Sequence, residues 1–533
     1  MLQREIENLG RLREIIDVFL EAGFSELLER TKLDQNLPLV NRLLKHRDRE
    51  PSPVRLRKAL EDLGPTFIKL GQMLAQRPDI VPQEYVEELE QLEDHVAPID
   101  GQEALRIVEE SLEKEKDDIF RYFETEPVAS ASIAQVHRAE LLDGEQVAVK
   151  VMKPGVRDQV KTDLRILNFL VNQAEFASTY LKKRHIADIF DQFEDWTQNE
   201  LDLRKEAKNA KKLKKNLEND DEARIPYIYD EYTSEDVLTA EFIEAVKIDN
   251  TEELKRREID VQAVAENGIN ALLKMVLRDG FFHADPHPAN VLVDPDARIS
   301  YVDFGIVGSI SPRKRRYLAL MLLNAANLDA GGVVDSLTKI AYVEDSADLE
   351  AFEDEVEDIL VEMEGASIQE HSFSRAFLDI VQAAARNGIV LPTQFVAAGK
   401  GFVQVEGVGL TIYPGFKPQQ QLKKMVRRIV LKQNRPQEVA RNFMMSLLEN
   451  RELIEDAPQQ LAELIDAAKG RGKGSQAGAS LALGTRKIVG AILASALIVS
   501  GTALLGLSSD LVLRLIAAGE LGIGLFLGLM LLR

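Results

Sequence analysis

The sequence predicts an α+β protein of two lobes, with a helical extension in front and a transmembrane helical hairpin behind. Three observations predict it. Residues 128–141 and 146–153 read as strand, Asp143-Gly144 turn and strand. Between 281 and 308, two short apolar strands, Val291–Val293 and residues 299–302, each stand beside a polar cluster within otherwise helical sequence. The last 46 residues, 488–533, contain two long apolar runs.

The bulk composition narrows the function. The 533 residues are 45% hydrophobic, enough for more than one core. The 88 acidic residues outnumber 66 basic ones, for a net charge of −22, which excludes the basic footprint of a nucleic-acid binder. Cysteine is absent, so neither disulfides nor thiolate chemistry is open to the chain. The N-terminus is charged and amphipathic, unlike a signal peptide.

Along the chain, residues 1–50 read as amphipathic helices that end in a basic stretch, with Pro51 and Pro53 as a joint. A helical extension follows over 51–125, interrupted at LGPTFIKLGQ. The strand-rich first lobe occupies 126–245 and contains a long charged helix over 191–217. The strand segment 237–248 leads into the mainly helical second lobe, 246–450, whose helix at 261–279 precedes the polar clusters. Residues 451–485 form a linker, rich in Gly, Ser, Ala and Lys over 466–480.

The hairpin occupies 486–533. Residues 488–507 carry no charge and meet the length of a bilayer-spanning helix; 511–532 meet it while accommodating Arg514 and Glu520. The pairs Gly490/Ala494, Ala496/Ser500, Ala518/Gly522 and Gly524/Gly528 allow close helix approach, suiting hairpin closure or a homodimer through the hairpin. Lys469, Arg471, Lys473, Arg486 and Lys487 precede the first span, placing the body on the cytoplasmic side of the cell membrane.

The chemistry concentrates in FFHADPHPANVLVDPDARISYVDFG, residues 281–305. Asp285 precedes Asn290 by five positions and Asp303 by eighteen, with Phe304-Gly305 next. A carboxylate to position an acceptor, and an amide and a carboxylate to hold magnesium on phosphates, are the parts that phosphoryl transfer needs. The interval is that of a protein-kinase-like catalytic loop followed by Asp-Phe-Gly. His283, Asp285 and His287 also alternate as a metal site would, but that reading leaves Asn290 and Asp303 idle; His283 reads better as a packed residue supporting the loop. Lys150, ending Val147-Ala148-Val149-Lys150, is the strand cation for the α- and β-phosphates of ATP. Its carboxylate partner is sought in NELDLRKEAKN, where Glu200, Asp202 and Glu206 are candidates. On one helix, Glu200 would point about 120° away from Glu206. No glycine-rich loop precedes Lys150. Ala129, Ser130, Ala131, Ser132, Ile133 and Ala134 stand there instead, and predict a stiffer phosphate-covering loop. The glycines of 470–478 and of the second apolar run are decoys.

These residues together resemble the UbiB family of atypical kinase-like proteins, also called the ABC1/ADCK or AarF group, over about residues 54–415. Its K-x-G-Q motif is matched by Lys69-Leu70-Gly71-Gln72, its alanine loop by 129–134, its E-x-D motif by Glu200-Leu201-Asp202, and its E-A-x-N run by Glu206 to Asn209. The resemblance implies a bilobal protein-kinase-like fold in which Lys150 pairs with Glu206. Lys69 would pair with Glu200, closing the extension over the active-site mouth. Asn290 and Asp303 would hold Mg2+, and Asp285 would take the catalytic-base position. The loop 129–134, Lys150 and Glu241 are the expected ATP contacts. The turn Glu244-Ala245 and the two loop serines depart from the family pattern.

The function so implied is ATP hydrolysis or unorthodox phosphoryl transfer at a membrane, supporting quinone or other prenyl-lipid biosynthesis. Expected partners are membrane lipids, prenylated quinone precursors and the enzymes that act on them. A Ser/Thr protein kinase is the first alternative, but its lysine two residues past the catalytic Asp is His287 here. Kinases of the aminoglycoside or choline type are the second, and they lack the K-x-G-Q motif and the hairpin.

Overall fold

In the computed structural model, the described residues are 2–22, 52–75, 77, 81–92, 97–177, 186–365 and 373–433. The chain divides into two compact units, 1–426 and 427–533. The description below concerns the first, and the one helix that runs on past residue 426. The apolar runs at 488–507 and 511–532 lie outside the described residues; among those described, no helix is long and apolar enough to cross a membrane.

The extension is built from α1 (Leu2–Glu21), α2 (Pro53–Leu63), α3 (Pro65–Ala75) and α4 (Gln83–Leu89). Ser52 caps α2 by accepting from Arg55 N–H, and Gly64, at φ 88°, turns the chain directly into α3. Apolar residues at helical spacing close a core of Ile15, Leu60, Leu63, Phe67, Leu89 and Leu92. Gly71 of α3 is buried in it, because a Cβ there would lie 2.2 Å from Leu92 Cδ1 and 2.8 Å from Leu60 Cδ1.

The next helix, α5 (Gly101–Leu112), leads to a five-stranded sheet of β1 (Phe120–Phe123), β2 (Ala129–Ser130), β3 (Ala134–Leu141), β4 (Gln146–Met152) and β6 (Val237–Glu241). Its order is β1-β3-β4-β6, with β2 paired to β3. Two sequence expectations change here. Sheet structure begins at Phe120, inside the stretch expected to be helical, and α5 packs on this sheet through Ala104 and Val108 against Val147, Val149 and Val151. Strand alternation then places Lys150 on the face opposite that core.

Two further helices, α6 (Val156–Ala177) and α7 (Ile186–Glu200), precede α8 (Leu203–Leu217). The single helix expected over 191–217 is thus broken. Asp202 is extended (φ −130°, ψ 97°), and its carboxylate caps α8 by accepting from Arg204 N–H. Asp163 of α6, fully buried, accepts from Arg11 Nε at 2.8 Å and from Thr66 Oγ1 at 2.7 Å, tying the extension to the first lobe.

The second lobe opens with β5 (Ala223–Arg224) and β7 (Val246–Lys247), which join β9 (Val291–Val293) and β10 (Ile299–Tyr301) in a sheet ordered β5-β10-β9-β7. Helix α9 (Thr251–Arg256) and α10 (Val261–Leu273) follow β7, and α10 runs into a π-helical turn, Lys274–Asp279. Strands β8 (Phe281–His283) and β11 (Val307–Ser309) pair with each other. Helices α11 (Pro312–Ala326), α12 (Ala330–Thr338), α13 (Leu349–Gly365), α14 (Phe373–Arg386), α15 (Thr393–Ile412) and α16 (Pro418–Gln433) complete the lobe, with a small β12–β13 pair (Tyr342–Val343, Ile389–Val390).

Candidate active site

Strand register assembles the second-lobe half of the site. In the β8–β11 pair, His283 lies opposite Val307 and Ala284 N–H donates to Ile306 O, so Asp285 comes to the Gly305 turn. In the β9–β10 pair, Tyr301 lies opposite Val291, and Val302 N–H donates to Asn290 O at 3.1 Å. Asn290 therefore sits beside the residue that precedes Asp303. Two antiparallel pairs, each of three residues per strand, bring together three polar side chains spread over nineteen positions.

His283 locks the arrangement. Its Nδ1 accepts from Asp285 N–H at 3.2 Å, while Nε2 donates to the Asp303 carbonyl. The ring stacks on Tyr301, with centroids 5.0 Å apart. Burial lowers its pKa, keeping the ring neutral as this tautomer requires. With both nitrogens used, His283 has no lone pair for a metal, so the His-Asp-His metal reading is discarded. His287 is exposed, and its Nδ1 accepts from Ala289 N–H.

Lys150 joins the lobes. Its ammonium donates to both Glu206 oxygens and to Asp303 Oδ2, each at 2.9 Å. Burial opposes the charge on Lys150, but Asp303 and Glu206 outweigh it and raise the pKa above the ordinary lysine range. Burial likewise opposes ionisation of Asp303; Lys150, and then the Gly305 N–H at 2.8 Å, hold its carboxyl below the usual carboxylate range. Burial pushes the Glu206 carboxyl up, against the pull of Lys150. Glu206 also accepts from Phe304 N–H at 3.2 Å, and Asn209, one turn along α8, donates to Phe304 O at 3.0 Å. Helix α8 thus grips both sides of Phe304.

The loop 129–134 is a tight turn in which Ala131 N–H donates to Ala134 O at 2.8 Å. None of its six residues has positive φ. Lys153 Nζ holds it from beneath, donating to Ala131 O at 2.7 Å and to Ala97 O at 3.1 Å. Ser132 is buried and its hydroxyl has no protein partner.

Lys69 Nζ lies 3.3 Å from Glu200 Oε2, with side chains only 12% and 7% exposed. Glu200 also borders the Asp303 turn, since a Cβ on Gly305 would lie 3.7 Å from its Oε1. Glu200 and Glu206 address different cations because the helix breaks between them, not through their angular offset on one helix. Two further expected site residues have carboxylates already engaged. Asp202 is held by Arg204 at 2.8 Å, as a helix cap. The Glu241 carboxylate is taken by Arg224 and by Tyr227 N–H. Gln72, half-buried on α3, follows the buried Gly71.

Sequence reasoning missed Lys153, whose signal was only a second lysine three positions after Lys150, and Gln404. The Gln404 amide of α15 comes within 3.5 Å of Asp285 Oδ1. One turn earlier on that helix, Lys400 reaches Ala75 O at the end of α3 and Glu90, both at 3.3 Å.

Two lobes joined by Lys150, which pairs with Glu206 in the first and Asp303 in the second, over an Asp–Asn–Asp cleft, define a protein-kinase-like enzyme. Residues 91–337 match the ABC1 atypical kinase-like domain, and residues 356–417 match the UbiB helical domain. A protein of Azotobacter vinelandii named probable protein kinase UbiB is 34% identical over 409 residues, covering 76% of each chain. Proteins of the same name from Pseudomonas fluorescens Pf0-1 and Vibrio atlanticus are 35% identical over 364 residues (68% of each chain) and 34% identical over 416 (76% of each). Among solved structures, the complex of Rv3197 with erythromycin from Mycobacterium tuberculosis aligns at a TM-score of 0.48 and 22% identity, over 70% of this chain and 93% of that one. The chain belongs to the UbiB family of atypical kinases.

Proposed function

We propose that this protein is a membrane-anchored, Mg-ATP-dependent atypical kinase or ATPase that supports quinone or other prenyl-lipid biosynthesis. The observation that carries the catalytic part is the state of Lys150: all three of its N–H bonds go to carboxylates. A nucleotide phosphate gains one of them only if Asp303 lets go, and Asp303 lets go most readily when a cation replaces Lys150 on it. Binding of a phosphate at Lys150 and of Mg2+ at Asp303 would therefore be coupled. Asp303 and the Asn290 amide offer the hard oxygen donors that Mg2+ prefers, and the Ser132 hydroxyl, buried without a protein partner, would be free to donate to a phosphate oxygen. Bound magnesium would neutralise charge on the phosphates. Asp285 would orient the attacking oxygen, and Lys150, held by Glu206, would fix the α- and β-phosphates.

The buried Lys69–Glu200 pair beside Asp303 supports a cleft narrowed by its own extension, which favours water or a slender lipid over a protein acceptor. The apolar runs at 488–507 and 511–532 support anchoring. The resemblance to the UbiB family, carried by Lys69-Leu70-Gly71-Gln72 and Glu200-Leu201-Asp202, supports the quinone or prenyl-lipid role.

The test is Mg-dependent ATP turnover by the full chain in vesicles, with and without a prenylated phenol. Turnover should rise with the lipid, and Asp303→Asn should lower it by about 1,000-fold, as expected for loss of a metal-holding carboxylate. Robust phosphorylation of generic proteins, indifferent to lipid, would overturn the reading.

A further inference from the structure

In protein kinases the lysine–glutamate pair depends on the position of the helix that carries the glutamate. Here that helix is α8, and its far end is fixed to the second lobe. Glu206 lies in its first turn, and Leu217 ends it about 17 Å further along the axis. Three positions on, the Asp220 carboxylate meets the π-helical turn Lys274–Asp279. It accepts from Arg278 Nη1 at 3.1 Å, from Arg278 Nη2 at 2.7 Å and from Lys274 Nζ at 2.6 Å. Arg278 Nη2 also donates to Asn216 O, a last-turn carbonyl of α8, at 3.0 Å. The same guanidinium takes both Asp279 oxygens, at 2.7 and 2.8 Å, and Lys274 reaches Glu222 at 2.5 Å. The Asp220 side chain is only 8% exposed. Burial opposes its charge, but Arg278 and then Lys274 outweigh it and hold the carboxyl below the usual carboxylate range.

This cluster stands at the root of both catalytic strands. The π-helical turn passes through Gly280, at φ 66°, into β8, which leads to Asp285. On the other side, Glu222 O accepts from Ile299 N–H at 2.9 Å, and β5 pairs with β10, the strand before Asp303. The turn is also held from behind: Arg315 of α11 donates to Arg278 O, and Ile310 N–H donates to Gly280 O at 2.8 Å. Lys212 of α8 lies over the ring of Phe281, the first residue of β8, 3.7 Å from its centroid.

We infer that Asp220 is a positioning residue for phosphoryl transfer. With Arg278 and Lys274 it locks α8 to the roots of β8 and β10, so Glu206, Asp285 and Asp303 keep one relative placement with or without nucleotide. Lys150 then exchanges Asp303 for a phosphate without a swing of α8. The residue types follow from the geometry. One planar guanidinium meets two carboxylates and a carbonyl in fixed directions, which a lysine at 278 would not do.

The kinetic consequence rests on the ATP-dependent reading above; the structural arm of the test needs no turnover. The chain has no cysteine, so K208C/R316C, at exposed positions of α8 and α11, accepts two spin labels. Their distance distribution is read by pulsed electron resonance on the full chain in phosphatidylcholine vesicles. It should be narrow, and the same with and without Mg-ADP. D220A should broaden it, and the milder R278K should broaden it less. Both should speed amide exchange in the last turn of α8 about tenfold. Well below their melting temperatures, both should lower kcat and raise KM for ATP, with kcat/KM down about 10- to 100-fold, because the two halves of the site lose their common frame. A parent distribution that shifts with Mg-ADP would overturn the inference. So would variants whose melting temperature falls while distances, kcat and KM stay at parent values, since the cluster would then only stabilise the fold. A lock that loosens in D220A, in a parent chain that turns over no ATP, would sink the ATP-dependent reading and leave the lock standing.

Discussion

Replacing Lys69 by Met removes the cation that α3 sends into the cleft. At 3.3 Å, the Lys69–Glu200 attraction is worth about 5 kcal/mol at an effective dielectric of about 20. Breaking a buried pair by deleting one partner costs about 3–5 kcal/mol, because the remaining charge is stranded. Glu200, 7% exposed and beside the ionised Asp303, is such a charge. The docked extension should therefore lose about 3–4 kcal/mol relative to an opened one, raising opening by roughly 100- to 1,000-fold. The loss should stay local, because Asp163 still holds Arg11 and Thr66, and Lys400 still reaches Ala75 O. Hydrogen exchange reads this directly: amides of α3 should exchange about 100-fold faster, while those of β3 and β4 are unchanged. Lys69→Met/Glu200→Leu should recover most of the protection, since it removes the stranded carboxylate. Exchange in α3 within threefold of the parent, or a double variant as fast as the single one, would refute the reasoning.

Gly71→Ala forces a methyl against Leu92 and Leu60 and should destabilise the extension by about 1–3 kcal/mol, read as faster exchange in α2 and α3. His137 is buried against Phe123, with Nδ1 donating to Glu124 O and Nε2 accepting from the Gln135 amide. Burial depresses its pKa below 6.5, so the unfolded chain binds the proton more readily. This contribution is present above pH 6.5 and is lost as pH falls from there through the folded pKa; His137→Gln should flatten that part of a melting-temperature profile. Gln404→Leu removes the amide beside Asp285 and should lower kcat several-fold at unchanged KM for ATP, as expected of a residue that positions the acceptor side and not the nucleotide.

Much of the site was legible because its parts are local. Asp285, Asn290 and Asp303 lie on two short antiparallel pairs, whose turns and register follow from nearby residues. The Lys150 strand was legible for the same reason: alternation and the Asp143-Gly144 turn fix which face each residue takes. What was misread lies where local preference is overruled. The sequence 191–217 has helical periodicity throughout, but Asp202 gains more from capping Arg204 N–H than from continuing the helix, and that choice separates Glu200 from Glu206. Likewise, Phe120–Phe123 becomes a strand because β3 offers it an edge.

By itself, then, the sequence determined which chemical groups are present, their spacing within each hairpin, and the apolar runs at its end. The tertiary structure alone decided which distant groups meet. Gln404 reaches Asp285 across 119 positions, and Lys400 reaches Ala75 across 325. It also left one face of α8 on Lys150 and the other in water. Periodicity specifies that a helix has two faces; only packing chooses what each face meets, because burial is a property of neighbours that sequence distance does not encode.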